Sequence, residues 1–152
     1  MMLRVRIELP GNRYQPGALR VLQGARTVAG PWACLGRAAN ELAALAGNPH
    51  RDPIMHDGDT PTGLYGRTMV LPTSGREGLG LRWIPLIPVA GQALDASLKG
   101  RTGLGIHAGR GDEKLVPTAG CVRMLDRDFA TLAAALGNSS FDVEIVEEKR
   151  DG

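Results

Sequence analysis

The sequence is short of cysteine, of aromatic residues and of long apolar runs. Its 152 residues include two cysteines, Cys34 and Cys121. Two thiols and no CxxC pair exclude a disulfide framework and leave at most one bridge between them. Charge of one sign is also missing: the formal net charge is +2, and with aromatics at only 4% no Lys/Arg cluster is interleaved with them. That excludes nucleic acid as the expected partner. No apolar run approaches a membrane span. The first ten residues, Met1 to Pro10, hold no unbroken apolar core and no cleavage site, so they do not read as a secretory signal. That reading predicts a chain that is cytoplasmic as made, or a mature form, or exported without a cleavable signal.

Glycine (21) and proline (10) are plentiful. They favour many turns and short strands over a helical bundle. Apolar residues at 43% and charged residues at 22% are ordinary for a globular protein. The length suits one domain, residues 1–152, with a real core. A mildly basic surface would suit an anionic polymer such as cell-wall glycan.

Leu3, Val5, Ile7 and Leu9 alternate with Arg4, Arg6 and Glu8, the period of a half-buried strand. A turn over 11–17 leads to a second strand at 18–22, and Gly30-Pro31 breaks the chain before a third at 32–35. This meander predicts an antiparallel sheet. A helix is expected over 36–45 with Ala38, Leu42 and Leu45 on one face, ended by Gly47-Asn48-Pro49. The loop over 49–61 carries His50, His56 and Asp59, but their spacing matches no zinc signature, so a solvated loop is the expectation and no metal is assigned. The turn over 59–65 is expected to lead into a strand that continues over 68–71. The glycines over 75–80 match no phosphate-binding fingerprint and read as a hairpin loop. Pro85 and Pro88 make 81–89 an edge strand or an irregular segment, and 94–98 reads as a helical turn. The clearest helix is 126–136, capped by Asp126 or Asp128, with Phe129, Leu132, Ala133 and Leu136 as its apolar stripe and Gly137 at its end. Phe141, Val143 and Ile145 form a last alternating strand, and 147–152 a frayed tail.

One stretch carries chemistry. Gly105-Ile106-His107-Ala108-Gly109 is followed by Pro117-Thr118-Ala119-Gly120-Cys121-Val122-Arg123. Ile106 and Val122 fit short buried strands, and the loop over 109–118 is long enough to bring His107 and Cys121 together from neighbouring strands. A thiol nucleophile needs a base within reach and peptide N–H groups for the oxyanion. Gly120 would leave room for a substrate carbonyl. A buried cysteine and a satisfied histidine remain the other reading of the same pair.

Gly58-Asp59-Thr60-Pro61-Thr62-Gly63-Leu64-Tyr65, then Ile106-His107, then Gly120-Cys121-Val122-Arg123, then a helix and a final strand, resemble the L,D-transpeptidase catalytic domain (the YkuD family) from about Leu3 to Val146. The resemblance implies a mainly β, sandwich- or barrel-like fold with two or three short helices. It implies an enzyme without a cofactor that cuts peptidoglycan tetrapeptide stems through a thioester on Cys121, with His107 as base. Arg123 would hold a stem carboxylate or brace the loop. Backbone N–H groups of Gly120 and Cys121 would be the oxyanion donors. Gly109, Thr118 and Tyr65 would line the substrate site, and a catalytic Cys121 would have a lowered pKa. The family's usual Ser-His-Gly-Cys is here Thr118-Ala119-Gly120-Cys121, so the second histidine is missing, and the expectation is a pocket repacked around Ala119. The site of action would be the periplasm or cell wall. A toxin effector delivered there would bring a secretion or immunity partner. The competing classes are a non-catalytic cell-wall binding module and an unrelated cysteine amidase or peptidase.

Overall fold

A computed structural model describes residues 2–74 and 78–148. Among the described residues the fold is mainly β, with two sheets and three short helices. The strands are β1 (Leu3–Pro10), β2 (Gly17–Gln23), β3 (Arg26–Cys34), β4 (Gly63–Thr68), β5 (Leu71–Pro72), β6 (Arg82–Pro85), β7 (Pro88–Ala90), β8 (Gly105–His107), β9 (Val122–Arg123) and β10 (Phe141–Glu148). The helices are α1 (Asn40–Leu45), α2 (Gln92–Leu98) and α3 (Asp126–Leu136). The larger sheet has the order β3-β2-β1-β10-β4-β7, and the smaller β5-β6-β8-β9.

The alternation in β1 sets the core. Val5, Ile7 and Leu9 are fully buried, opposite Val143 and Ile145 of the parallel neighbour β10. Their charged neighbours face outward in register. Arg4 donates from Nε and Nη2 to both carboxylate oxygens of Asp142 at 2.9 and 2.8 Å, and Arg6 pairs with Glu144. Half-exposed pairs of this kind contribute at most about 1 kcal/mol each; the apolar face does the holding. Phe129, Leu132, Ala133 and Leu136 of α3 close the same core.

Several expectations change. The β1-β2-β3 meander is antiparallel as expected, but both sheets are mixed, because β10 lies parallel to β1 in the larger and β9 parallel to β8 in the smaller. β3 runs straight through Gly30-Pro31, a cis peptide, with shifts of register; it is an edge strand, where proline removes no needed donor. Strand pairing breaks at residues 69–70, where the chain passes from one sheet to the other. β6 is an interior strand of its sheet, with Pro85 at its last position, whereas β7 is an edge. Glu147 and Glu148 still pair with β1; residues 149–152, and 75–77 of the glycine-rich loop, lie outside the described residues.

The largest correction is α1. It starts at Asn40, its buried residue is Ala43, and Leu42 and Leu45 are 43% and 86% exposed. Residues 35–38 are extended instead, because they are claimed by distant partners. Leu35 exchanges backbone bonds with Arg123 at 2.9 Å, and Ala38 bridges Thr118 while its N–H donates to Asp59 Oδ1 at 2.9 Å. Tertiary pairing overrides a helical apolar pattern here.

Candidate active site

β8 and β9 are adjacent and parallel, with Ile106 opposite Val122 and His107 opposite Arg123. Cys121 therefore sits one step before β9, on the sheet face that also carries His107. Strand alternation sends Ile106 and Val122, both fully buried, to the other face and into the core. No hydrogen bond joins the thiol to His107 among the described residues. Cys121 Sγ lies 3.8 Å from Gly103 O and takes the Gly105 N–H. Such pairs are often looser without substrate.

His107 is 2% exposed. Its Nδ1 lies 2.9 Å from Ala108 O, which assigns the ring proton to Nδ1 and leaves Nε2 as the basic nitrogen. Burial, with a push from the Arg123 charge, brings His107 down to about 4 despite that bond. The imidazole is therefore neutral near pH 7. Burial also pushes the Cys121 thiol above its ordinary value, and the Gly105 N–H, Arg123 and Arg101 oppose this without reversing it. The lowered thiol expected above is corrected: the site is a neutral thiol beside a neutral imidazole.

A pH effect on stability follows. The unfolded chain takes up the His107 proton near 6.5 and the folded one only near 4. Between those values the unfolded state binds more protons, so stability falls as pH drops through the window, by at most about 3 kcal/mol. Urea midpoints at pH 7 and pH 4.5 should differ less for His107→Gln than for the wild type.

The turn before Cys121 is tied internally. Thr118 Oγ1 accepts the Gly120 N–H at 2.8 Å and donates to Cys121 O at 2.8 Å. Thr118 is thus a turn brace rather than a substrate ligand. The Gly120 N–H is spent, which leaves the Cys121 N–H of the two expected oxyanion donors. Thr60 Oγ1 donates to Gly120 O at 2.6 Å, which ties the 58–63 segment to the turn. Gly120 has φ +124°, and a Cβ there would lie 1.9 Å from Arg101 Nη2. The glycine makes room for a guanidinium, not for a substrate carbonyl.

The other expected ligands are also structural in this geometry. Arg123, 4% exposed, donates to Val116 O at 3.2 Å, to Gly78 O at 2.7 Å and to Ala108 O, which favours bracing over carboxylate binding. The Gly109 N–H donates to Asp126 Oδ1 at 2.7 Å, and a Cβ on Gly109 would meet Gly80 N at 2.6 Å. Asp126 therefore secures the 109–111 loop, and the first turn of α3 is capped instead by Asp112, whose Oδ1 accepts the Arg127 N–H at 2.7 Å. Tyr65 is buried and donates its hydroxyl to Pro61 O at 2.7 Å. It lines, with Leu86, Ala96, Arg101 and Gly103, a cavity of about 210 Å³, and the Gly103 carbonyl lies 3.8 Å from the thiol. Ala119 is exposed, so the repacked pocket is corrected as well: a side chain there meets solvent.

Both cysteines are free. Cys34 is fully buried, and burial pushes its thiol up to about 12. The Asp59 carboxylate is occupied by Ala38 N–H and Arg51 Nε at 2.9 and 3.1 Å. Among the described residues no group of three or more His, Cys, Asp or Glu side chains is placed to hold a metal ion, and no helix is long and apolar enough to cross a membrane. Arg101, Thr60 and Arg13 complete the scaffold, and Arg13 Nη1 joins Gly36 O and Thr60 O at 3.0 and 2.8 Å. No motif in the sequence marks Arg101 or Arg13.

No protein-family profile matches this chain, and no curated protein matches it by sequence. Among solved structures, Bd1075 of Bdellovibrio bacteriovorus is similar in fold. The TM-score is 0.58 at 13% identity, over 94% of this chain and 47% of that one. This chain thus corresponds to about half the length of that protein, and the likeness is one of fold.

Proposed function

We propose that this chain is a cysteine-dependent acyltransferase of the L,D-transpeptidase kind, acting on peptidoglycan tetrapeptide stems at the cell wall. The observation that carries the reading is the placement of Cys121. It is a partly exposed thiol on a tied glycine turn, beside a strand whose histidine is held as a neutral base. The order of the three motifs along the chain supports it.

In this reading Sγ attacks the carbonyl carbon of the third stem residue while the thiol proton passes to His107 Nε2. The Cys121 N–H faces the developing oxyanion. Collapse breaks the C–N bond, and the leaving amine, D-alanine, takes the proton from the imidazolium. The acyl group remains on sulfur as a thioester. A second amine then gives a cross-link or an exchanged stem, and water gives a trimmed one. Because thiol and imidazole both start neutral, the proton moves during attack rather than before it. The cavity beside Gly103 offers space for a small side chain of the stem. A route to the wall as a secreted effector, with an immunity protein as partner, belongs to the same reading.

A specific observation favours a second reading, a non-catalytic wall-binding module: the thiol is pushed up and makes no bond to His107. The two separate on intact-mass analysis of purified tetrapeptide muropeptides after incubation. The enzyme reading predicts loss of one D-alanine, with or without dimers. Unchanged masses together with retained binding to wall sacculi would favour the module.

A further inference from the structure

Arg101 makes four side-chain hydrogen bonds beside the Cys121 turn. It is 5% exposed and lies three residues beyond the end of α2. Nη1 donates to Pro53 O and to Asp59 O at 2.8 Å; Nη2 donates to Gly58 O and to Ala119 O at 3.3 Å. Two segments about sixty residues apart therefore end on one guanidinium. A planar fork with fixed donor directions suits this, and a lysine would not reproduce it. The contact continues past Ala119, because the α-carbon of Gly120 is close enough to Nη2 to exclude any Cβ.

The partners of Arg101 are all carbonyls. Its charge makes no ion pair among the described residues. Asp59, the nearest in sequence to those carbonyls, spends its carboxylate on Ala38 and Arg51. An arginine stays charged at any physiological pH. Burying it is costly, and four carbonyls repay that only in part, unless a neighbour also uses the charge. The neighbour with a use for it is a sulfur that becomes an anion during reaction. The groups that act on Cys121 are Arg101, Arg123, the neutral His107, the Gly103 carbonyl and the Gly105 N–H; those acting on Arg101 are Tyr65, Asp57, Asp59 and Cys121 itself.

We infer that Arg101 is a positioning residue for Cys121: its guanidinium locks the Ala119–Gly120 peptide and supplies a fixed positive field, unpaired with any described carboxylate, that favours the thiolate. The inference deepens the proposed function and rests on Cys121 being its nucleophile. It does not depend on the substrate.

The test is alkylation of Cys121 by iodoacetamide against pH, followed by peptide mass, for the full chain and for Arg101→Met and Arg101→Lys, with melting curves alongside. Both variants lose the fork; only Arg101→Met loses the charge. Arg101→Met should react at least about fivefold more slowly at pH 7.5, with its rate profile displaced to higher pH, while Arg101→Lys stays within about twofold of wild type. Equal profiles for the two variants would overturn the field, whatever their melting temperatures. Should Arg101→Met fail to fold, the wild type decides. Its iodoacetate-to-iodoacetamide rate ratio should exceed that of free cysteine by at least about threefold, since a cationic site draws the anionic reagent. A ratio equal to that of free cysteine would overturn the inference. No muropeptide enters the experiment, so its outcome and that of the muropeptide digestion are read separately.

Discussion

Gly120→Ala is expected to be severely damaging, lowering stability by roughly 3–5 kcal/mol. Two effects combine. The residue has φ +124°, in the region where side chains are strained, which costs about 1–3 kcal/mol. The new Cβ would also lie 1.9 Å from Arg101 Nη2 and 2.6 Å from Gly58 O. Relief of that clash means withdrawing a guanidinium that holds four carbonyls. Gly111→Ala is the control, because it shares a positive φ (+86°) but meets nothing within 4 Å. It should lose only the backbone part. For a domain of this size the difference should appear as roughly 5–10 °C between the two melting temperatures. Equal losses would mean that the Arg101 contact is not formed.

Cys121→Ala and His107→Ala should each reduce turnover of tetrapeptide stems by at least about a thousandfold, and the double variant should lose little more, since the two groups act as one unit. The stability readouts should differ. Cys121 is partly exposed and its truncation nearly silent, whereas His107 is buried and its truncation costs roughly 2–3 kcal/mol of packing. Activity is therefore compared well below the lower melting temperature. Cys34→Ala, also buried, should lose stability but keep activity within a fewfold. The wild-type rate should be flat across the neutral range, because thiol and imidazole both keep their neutral forms there, and should fall as pH approaches 4 and His107 takes up a proton. A rate that climbs with pH from about 6 to 8 in proportion to the thiolate would mean that the proton leaves sulfur before attack.

Elements with a strong local period are legible in the amino-acid sequence alone. The alternation of β1 and β10 and the apolar stripe of α3 lie where the pattern puts them, because each buries one face against the same core. The short strands around Ile106 and Val122 are legible for the same reason. Less legible is anything decided by a partner far along the chain. Residues 35–38 have a helical pattern yet are drawn out straight by Arg123 and Thr118, roughly eighty positions away. In the site, residue type marks where a nucleophile and a base could stand. It does not reveal that the Thr118 hydroxyl consumes the Gly120 N–H, nor that a guanidinium fills the space beside Gly120. Arg101 lies in a glycine-rich turn with no motif, and its role exists only in three dimensions. Electrostatics is least legible of all, since the direction of the Cys121 shift depends on burial outweighing two nearby cations.

The central claim is that Cys121 forms an acyl-enzyme with a peptidoglycan stem. Its most direct test is to mix the intact protein with purified tetrapeptide muropeptides, quench in acid within seconds, and map the protein by peptide mass. The account predicts the tripeptide acyl group on the Cys121 peptide, D-alanine released in at least equal amount, and neither product from Cys121→Ala. An adduct on Cys34, or D-alanine release undiminished in Cys121→Ala, would contradict it.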